Sequence, residues 1–223
     1  HALNDYRKAD FIANVLSEGK ATDRETTFAV SPDQPFFLAC GIFRPHLPFY
    51  ATRDLLDVFP TDEMAITREL LEEFTSDAGD LPEQAYKWCG LAVDASGHPT
   101  IGKDRFVDIL NHGRKLQDGD GDLQGWKEML QHYFASCAIA DRCVGRLLDG
   151  LDASPFADNT MIILWSDHGY HLGEKLHETK FALWDDGARV NFLISDPRHP
   201  QSAGKRCTRP VTLTDIFPTV AAM

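Results

Sequence analysis

The chain has 223 residues, of which 43% are apolar and 25% are charged, and its 22 basic and 34 acidic side chains give a net charge of −12 at pH 7. This length and composition are typical of a globular protein with a sizeable core. The negative charge argues against a broad nucleic-acid-binding surface, and because no apolar run reaches about 18 residues, no membrane span is predicted.

The predicted elements alternate between helices and short apolar strands. In chain order they are a strand over 35–43, a proline-rich loop over 44–50, a helix over 61–74 capped at Thr61 or Asp62, a long helix over 123–151, strands over 161–165 and 190–195, and a helix beginning near Thr212. A helix followed by buried, non-alternating strands predicts an α/β fold with a mostly parallel sheet flanked by helices.

The most unusual segment is 161–184, where an apolar run ends at Trp165 and the sequence S-D-H-G follows. Ligands of open α/β sheets bind just past the carboxyl ends of the strands. A carboxylate beside an imidazole offers oxygen and nitrogen to a divalent cation. Asp167 and His168 are therefore predicted metal ligands; the alternative is a capping aspartate and a packed histidine at a strand–helix turn.

Three further ionisable residues, His171, His177 and Lys180, follow in a glycine-containing loop. An ammonium group among imidazoles suits an anionic ligand, so these residues are predicted to bind substrate. The alternative is a solvated charged loop.

His46 lies in the sequence R-P-H-L-P, directly after the predicted strand over 35–43. The two prolines stiffen the backbone on both sides of this histidine. A stiff loop after a strand can hold a side chain at the edge of a sheet, where sites are found. His46 is therefore a candidate catalytic residue, with a purely structural histidine as the alternative.

These motifs together resemble the sulfatases of the alkaline phosphatase superfamily. The sequence S-D-H-G with a lysine twelve residues after its histidine looks like the family's C-terminal signature, and R-P-H-L-P looks like the loop found in the iduronate-2-sulfatase-like branch. The resemblance covers most of the chain outside 75–120. It implies an alkaline-phosphatase-like sulfatase domain.

The resemblance also implies roles for individual residues. Asp167 and His168 match two ligands of the family's divalent cation, which is usually calcium. Lys180 matches the lysine that contacts the sulfate and steadies the leaving oxygen. His46 matches the histidine that binds the sulfate or protonates the leaving group. His171 and His177 match no assigned role and are expected to shape the substrate pocket.

The family's nucleophile, a formylglycine made from the first residue of a C/S-x-P-S-R motif, has no counterpart in this sequence. Residues 1–223 therefore resemble one part of the catalytic domain, truncated at both ends, and the nucleophile is expected upstream of His1. This chain alone is expected to be inactive, whereas the intact protein is expected to be a sulfuric ester hydrolase acting on a sulfated small molecule or glycan.

Two other functions remain open at this point. One is a phosphodiesterase or phosphonate monoester hydrolase of the same superfamily, which an upstream serine or threonine nucleophile would favour. The other is a non-catalytic remnant that binds a metal or a partner. By family habit, the resemblance suggests a periplasmic, extracellular or lysosomal location.

Overall fold

The computed structural model describes residues 2–82, 84–85, 92–93, 95, 99–100 and 123–222. The α-helices are α1 Ala2–Glu18, α2 Arg53–Leu56, α3 Arg68–Asp77, α4 Gln124–Asp152, α5 Asp185–Ala188 and α6 Ile216–Ala221. The strands are β1 Lys20–Asp23, β2 Thr26–Ala29, β3 Ala92–Val93, β4 Pro99–Thr100, β5 Ile162–Trp165, β6 His171–Leu172, β7 Glu178–Thr179 and β8 Phe192–Ser195. Within these ranges no helix is both long and apolar enough to cross a bilayer.

The long helix α4 confirms the helix predicted over 123–151. It packs against α1, a helix that was not predicted from the sequence. Small residues allow the two helices to approach closely: Ala13 is fully buried, and a Cβ added at Gly150 would lie 2.6 Å from the Cα of Ala13. Arg146 of α4 reinforces the contact, because its Nε donates to Asp10 at 2.8 Å.

A second core region joins the start of α4 to the segment that follows β5. Trp126 is buried with Leu130 and Leu176, and Phe74 of α3 packs against the indole at 5.7 Å between ring centroids. The indole Nε1 also donates to the carbonyl of Leu172 at 2.7 Å. This packing holds the β6–β7 hairpin in place against the helices.

The strands differ from the predicted mostly parallel sheet. Both β5 and β8 form where they were expected, but they pair antiparallel, with Ile162 opposite Ser195 and Trp165 opposite Phe192. All four strand pairs among the described residues are antiparallel. An apolar composition indicates that a strand is covered on both faces. It does not indicate whether the neighbouring strand runs parallel or antiparallel to it.

Two predicted elements have other bounds or another form. The segment 35–43 forms no strand pair in the part of the chain that the structure describes, so the predicted strand is wrong there. The helix predicted over 61–74 begins later, at Arg68, because Thr67 caps it by accepting a hydrogen bond from the Leu70 amide at 3.3 Å. Residues 61–63 form a separate short 3₁₀ turn.

Candidate active site

The S-D-H-G turn follows β5 directly, as predicted. His168 Nδ1 donates to the carbonyl of Gly169 at 2.7 Å, and this leaves Nε2 with its lone pair in the neutral ring. Nε2 lies 3.6 Å from the Oδ2 atom of Asp167, whose side chain is 83% exposed. An imidazole nitrogen and a carboxylate oxygen, both able to act as metal ligands, therefore lie close to each other.

This arrangement fits a bound divalent cation. Histidines that bind metals usually donate their other ring N–H to a carbonyl or carboxylate, as His168 does here. A cation with ligand distances of about 2.3–2.6 Å can contact two atoms that are 3.6 Å apart. Among the described residues no group of three or more candidate ligands occurs, so Asp167 and His168 would hold only part of a coordination shell.

Gly169 allows the turn to pack closely against the segment around α5. Its amide donates to the carbonyl of Gly187 at 2.9 Å. A Cβ added at Gly169 would overlap the carbonyl oxygen of Asp186 and lie 3.0 Å from that of Arg189. The backbone that carries the two candidate ligands is thus positioned by a contact that only glycine permits.

The loop that carries His46 is held by buried charged groups. Asp5 of α1 is almost fully buried and accepts hydrogen bonds from the amides of Phe43 and Arg44 at 3.1 and 3.2 Å. The buried Arg44 donates through Nη1 to the carbonyls of His46 and Pro48 at 2.8 and 2.5 Å. The peptide bonds that precede both prolines are cis. The hydrogen bonds of Asp5 and Arg44 hold the backbone on both sides of His46.

The imidazole of His46 is exposed. Its Nδ1 donates to the carbonyl of Leu47 at 2.7 Å, and its ring lies 4.7 Å from that of Phe43. Because a carbonyl can only accept, the Nδ1 hydrogen is committed and Nε2 is the atom free to gain or lose a proton. This is the arrangement that a general acid or base requires.

Tyr170 brings the three candidate segments together. Its ring lies 6.0 Å from that of Phe49, three residues after His46, and its hydroxyl donates to Glu178 Oε1 at 2.6 Å, two residues before Lys180. It also follows the S-D-H-G turn in the chain. The sequence analysis missed this role, although an aromatic residue beside the motif was a visible signal.

Lys180 comes directly after β7 and is half-buried. The neighbouring Phe181 is 72% exposed. The ammonium group of Lys180 thus belongs to the same segment that Glu178 ties to Tyr170.

His171 and His177 are not in a solvated loop, because they are only 1% and 5% exposed. Their ring centroids are 5.2 Å apart, and each ring packs edge-on against Trp184. Both nitrogens of His171 and Nε2 of His177 have no hydrogen-bond partner among the described residues. Burial lowers the pKa of both rings, and the nearby His171 helps to bring the pKa of His177 down to about 4.

These two histidines should make the fold sensitive to acid. The unfolded chain takes up a proton at His177 near pH 6.5, whereas the folded chain resists it until about pH 4. The contribution of neutral His177 to the free energy of unfolding is therefore fully present above pH 6.5. The free energy of unfolding falls as the pH drops from 6.5 to 4, by about 2–3 kcal/mol for His177. Thermal unfolding should show a melting temperature about 5–10 °C lower at pH 4.5 than at pH 7.5.

The substitution His177→Phe should remove much of that acid sensitivity, because the ring contacts remain while the titrating group is gone. The exposed His199 provides a control: His199→Gln should keep the sensitivity of the original protein. If the melting temperature of His177→Phe depended on pH as that of the original protein does, His177 would not be the cause of the acid sensitivity.

Curated relatives resemble this chain over most of its length. A protein named Sulfatase from Formosa agariphila is 34% identical over 187 residues, covering 84% of this chain and 32% of the relative. Iduronate 2-sulfatase from Homo sapiens is 27% identical, covering 82% and 30%. The multifunctional alkaline phosphatase superfamily protein of Trinickia caryophylli is 25% identical, covering 89% and 36%. The chain spans about a third of the length of these relatives.

The family model described as Sulfatase matches residues 10–223, which is nearly the whole chain. The chain belongs to the sulfatase family, and the expected resemblance is thereby confirmed.

Proposed function

We propose that the natural protein containing this chain hydrolyses a sulfate ester of a small molecule or a glycan. The observation that carries the proposal is the match of the sulfatase family over residues 10–223. The convergence of the His46 loop, the S-D-H-G turn and the Lys180 segment on Tyr170 supports it. This part of the protein would supply half of the site, and an upstream segment would supply the rest.

The residues of this chain have complementary tasks in this reaction. The ammonium group of Lys180 binds a sulfate oxygen and stabilises the negative charge that develops as the S–O bond breaks. Nε2 of His46 gives a proton to the departing alcohol oxygen as the S–O bond breaks. It regains a proton from the water whose oxygen ends in the released sulfate, so that ester and water become alcohol and hydrogen sulfate. His171 and His177 shape the neighbouring wall without touching the sulfate.

Asp167 and His168 would hold a divalent cation, for which we propose calcium. When bound, this ion supplies positive charge that neutralises the sulfate and the nucleophile. The nucleophile is proposed to be a formylglycine in a segment upstream of His1. Calcium prefers oxygen ligands, whereas imidazole suits zinc, copper, iron or nickel, so restoration of activity by calcium is compared with restoration by other divalent ions.

Removal of the cation should abolish activity. The natural protein should release sulfate from an aryl sulfate, lose this activity after dialysis against a chelator, and regain it when calcium is returned. Asp167→Asn should lower turnover about 100-fold, because one charged ligand is lost. Sulfate release is measured by ion chromatography and bound metal by mass spectrometry.

Asp158→Asn is the matched control, because Asp158 is exposed on a turn before β5 and is not one of the candidate ligands. Restoration by manganese or zinc but not by calcium would refute the calcium assignment. Activity that survives complete removal of metal would refute the role of Asp167 and His168. A peptide map of the natural protein that contains no oxidised C/S-x-P-S-R peptide would refute the formylglycine.

A second candidate is hydrolysis of phosphate or phosphonate esters. It is favoured by the similarity to the multifunctional alkaline phosphatase superfamily protein of Trinickia caryophylli. Lys180 and a cation would neutralise a phosphoryl group by the same electrostatics. A comparison of an aryl sulfate with the matching phosphodiester distinguishes the two functions by the ratio of kcat/KM values.

A further inference from the structure

Glu178 is a buried acidic residue that has no part in the chemistry proposed above. It lies in β7, two residues before Lys180, and only 6% of it is exposed. A buried carboxylate is costly unless a donor satisfies it, and the hydroxyl of Tyr170 donates to its Oε1 at 2.6 Å. This length is typical of a hydroxyl bonded to a carboxylate, a pairing stronger than a hydrogen bond between neutral groups. The bond therefore ties Glu178 firmly to Tyr170.

Tyr170 is itself anchored to the long helix α4. Its ring stacks on that of Tyr133, with centroids 5.6 Å apart and 26° between the ring planes. Phe49 packs edge-on against both rings, at 5.4 Å from Tyr133 and 6.0 Å from Tyr170. Three rings packed against one another restrict each other's rotation. The hydroxyl that holds Glu178 is therefore presented by a rigid part of the fold.

The backbone between Glu178 and Lys180 needs such an anchor. Thr179 has a φ of +114°, a conformation that β-branched residues avoid. A strained residue keeps its conformation only where the surrounding structure holds it. The ladder between β6 and β7 contains two residue pairs, which is little for a hairpin to rest on. The bond from Tyr170 to Glu178 adds a side-chain contact at the position just before the strained residue.

We propose that Tyr170 and Glu178 form a positioning pair for Lys180, in which the hydrogen bond between them determines where the ammonium group of the lysine lies in the active site. This inference rests on the proposed function, since Lys180 is the residue assigned to the sulfate. Tyr170 and Glu178 act through the lysine and contact no reacting atom.

Such a pair should affect turnover more than substrate binding. A positive group stabilises developing charge only if it is held where that charge appears, and a small displacement of a catalytic group lowers the rate strongly. Tyr170→Phe should therefore lower kcat for a sulfate ester about tenfold and change KM less than about threefold. The variant keeps all three packed rings, so the loop that carries His46 retains its contact with Phe49.

Tyr133→Phe is the matched control. It removes the hydroxyl of the other stacked tyrosine, which is hydrogen-bonded to Cys137 of the same helix and not to Glu178. Its kcat should stay within about twofold of the original value, because its ring stays in the stack. Equal losses of kcat in Tyr133→Phe and Tyr170→Phe would overturn the proposal, since the loss would then follow from disturbing the stack.

A double variant tests whether Tyr170 acts through Lys180. In a Lys180→Ala background the group to be positioned is gone, so adding Tyr170→Phe should lower the remaining kcat less than about twofold. A general structural defect would instead lower kcat by the same factor in both backgrounds. A tenfold loss in the Lys180→Ala background would therefore overturn the proposal.

Substitutions of Glu178 test whether the hydrogen bond is the cause. The side-chain oxygen of Glu178→Gln can still accept from Tyr170, so this variant should retain more than about a third of the original kcat. Glu178→Ala has no acceptor and should lose about as much as Tyr170→Phe. Equal losses in the glutamine and alanine variants would overturn the assignment to this bond.

Hydrogen exchange measured by mass spectrometry separates this inference from the proposed function, because it requires no substrate. In the natural protein, Tyr170→Phe should speed the exchange of backbone amides over 178–184 at least about fivefold, and Tyr133→Phe should not. Faster exchange in a natural protein that cleaves no sulfate ester supports the pair as the anchor of this segment and overturns the proposed function. Unchanged exchange in Tyr170→Phe overturns the pair even where sulfate esters are cleaved.

Discussion

Replacing Lys180 with alanine in the natural protein should lower kcat for a sulfate ester about 10²- to 10³-fold. The reason is electrostatic: a preorganised positive group aimed at developing negative charge typically contributes that much to turnover. The KM should change less than kcat, because the charge on the leaving oxygen exists only in the transition state. Initial rates of sulfate release over a range of substrate concentrations measure both constants.

Lys205→Ala is the control for this experiment, since Lys205 is exposed and far along the chain from the motifs. It should retain full activity. Lys180→Arg should recover only part of the loss, because a planar guanidinium does not present its charge as a compact ammonium does. Full turnover in Lys180→Ala would exclude this residue from the catalytic machinery.

Gly169→Ala should lower the free energy of unfolding by about 3 kcal/mol and reduce activity with it. The new Cβ would overlap the carbonyl oxygen of Asp186, and because that neighbour is backbone, it cannot rotate away. For a chain of this size the melting temperature should fall by about 6–12 °C. Calorimetry or circular dichroism on heating measures the change.

Gly145→Ala is the matched control for the glycine substitution. Gly145 lies inside α4, where an added Cβ would meet nothing within 4 Å. Alanine favours a helix over glycine, so this variant should gain about 0.5–1 kcal/mol. If both variants lost stability to the same extent, the contact at Gly169 would not be the cause.

The sequence predicted the local elements that carry the candidate residues. The S-D-H-G turn after β5 and the long helix α4 follow from patterns that span only a few residues, and both formed where they were expected. Antiparallel pairing of β5 with β8 did not follow from composition, because the direction of a strand depends on the path of the chain between them.

The parts that were missed depend on contacts between distant segments. The hydrogen bond from the Arg44 amide to Asp5 joins residues that are 39 positions apart, and no local sequence pattern predicts it. The sequence predicted a substrate-binding loop for His171 and His177, with a solvated charged loop as the alternative, and their near-complete burial excludes that alternative. Aromatic packing by Trp184 removes both histidines from water.

The link between α1 and the His46 loop has a consequence for how inherited or engineered variants should be interpreted. Asp5 carries no chemistry of its own, yet it is the carboxylate that receives the amides of Phe43 and Arg44. A substitution such as Asp5→Ala leaves two amides without an acceptor and frees the loop to shift. Asp5→Ala should therefore lower both the stability and the activity of the protein, so a screen that scores only protein abundance would record the loss of stability and miss the effect on the His46 loop.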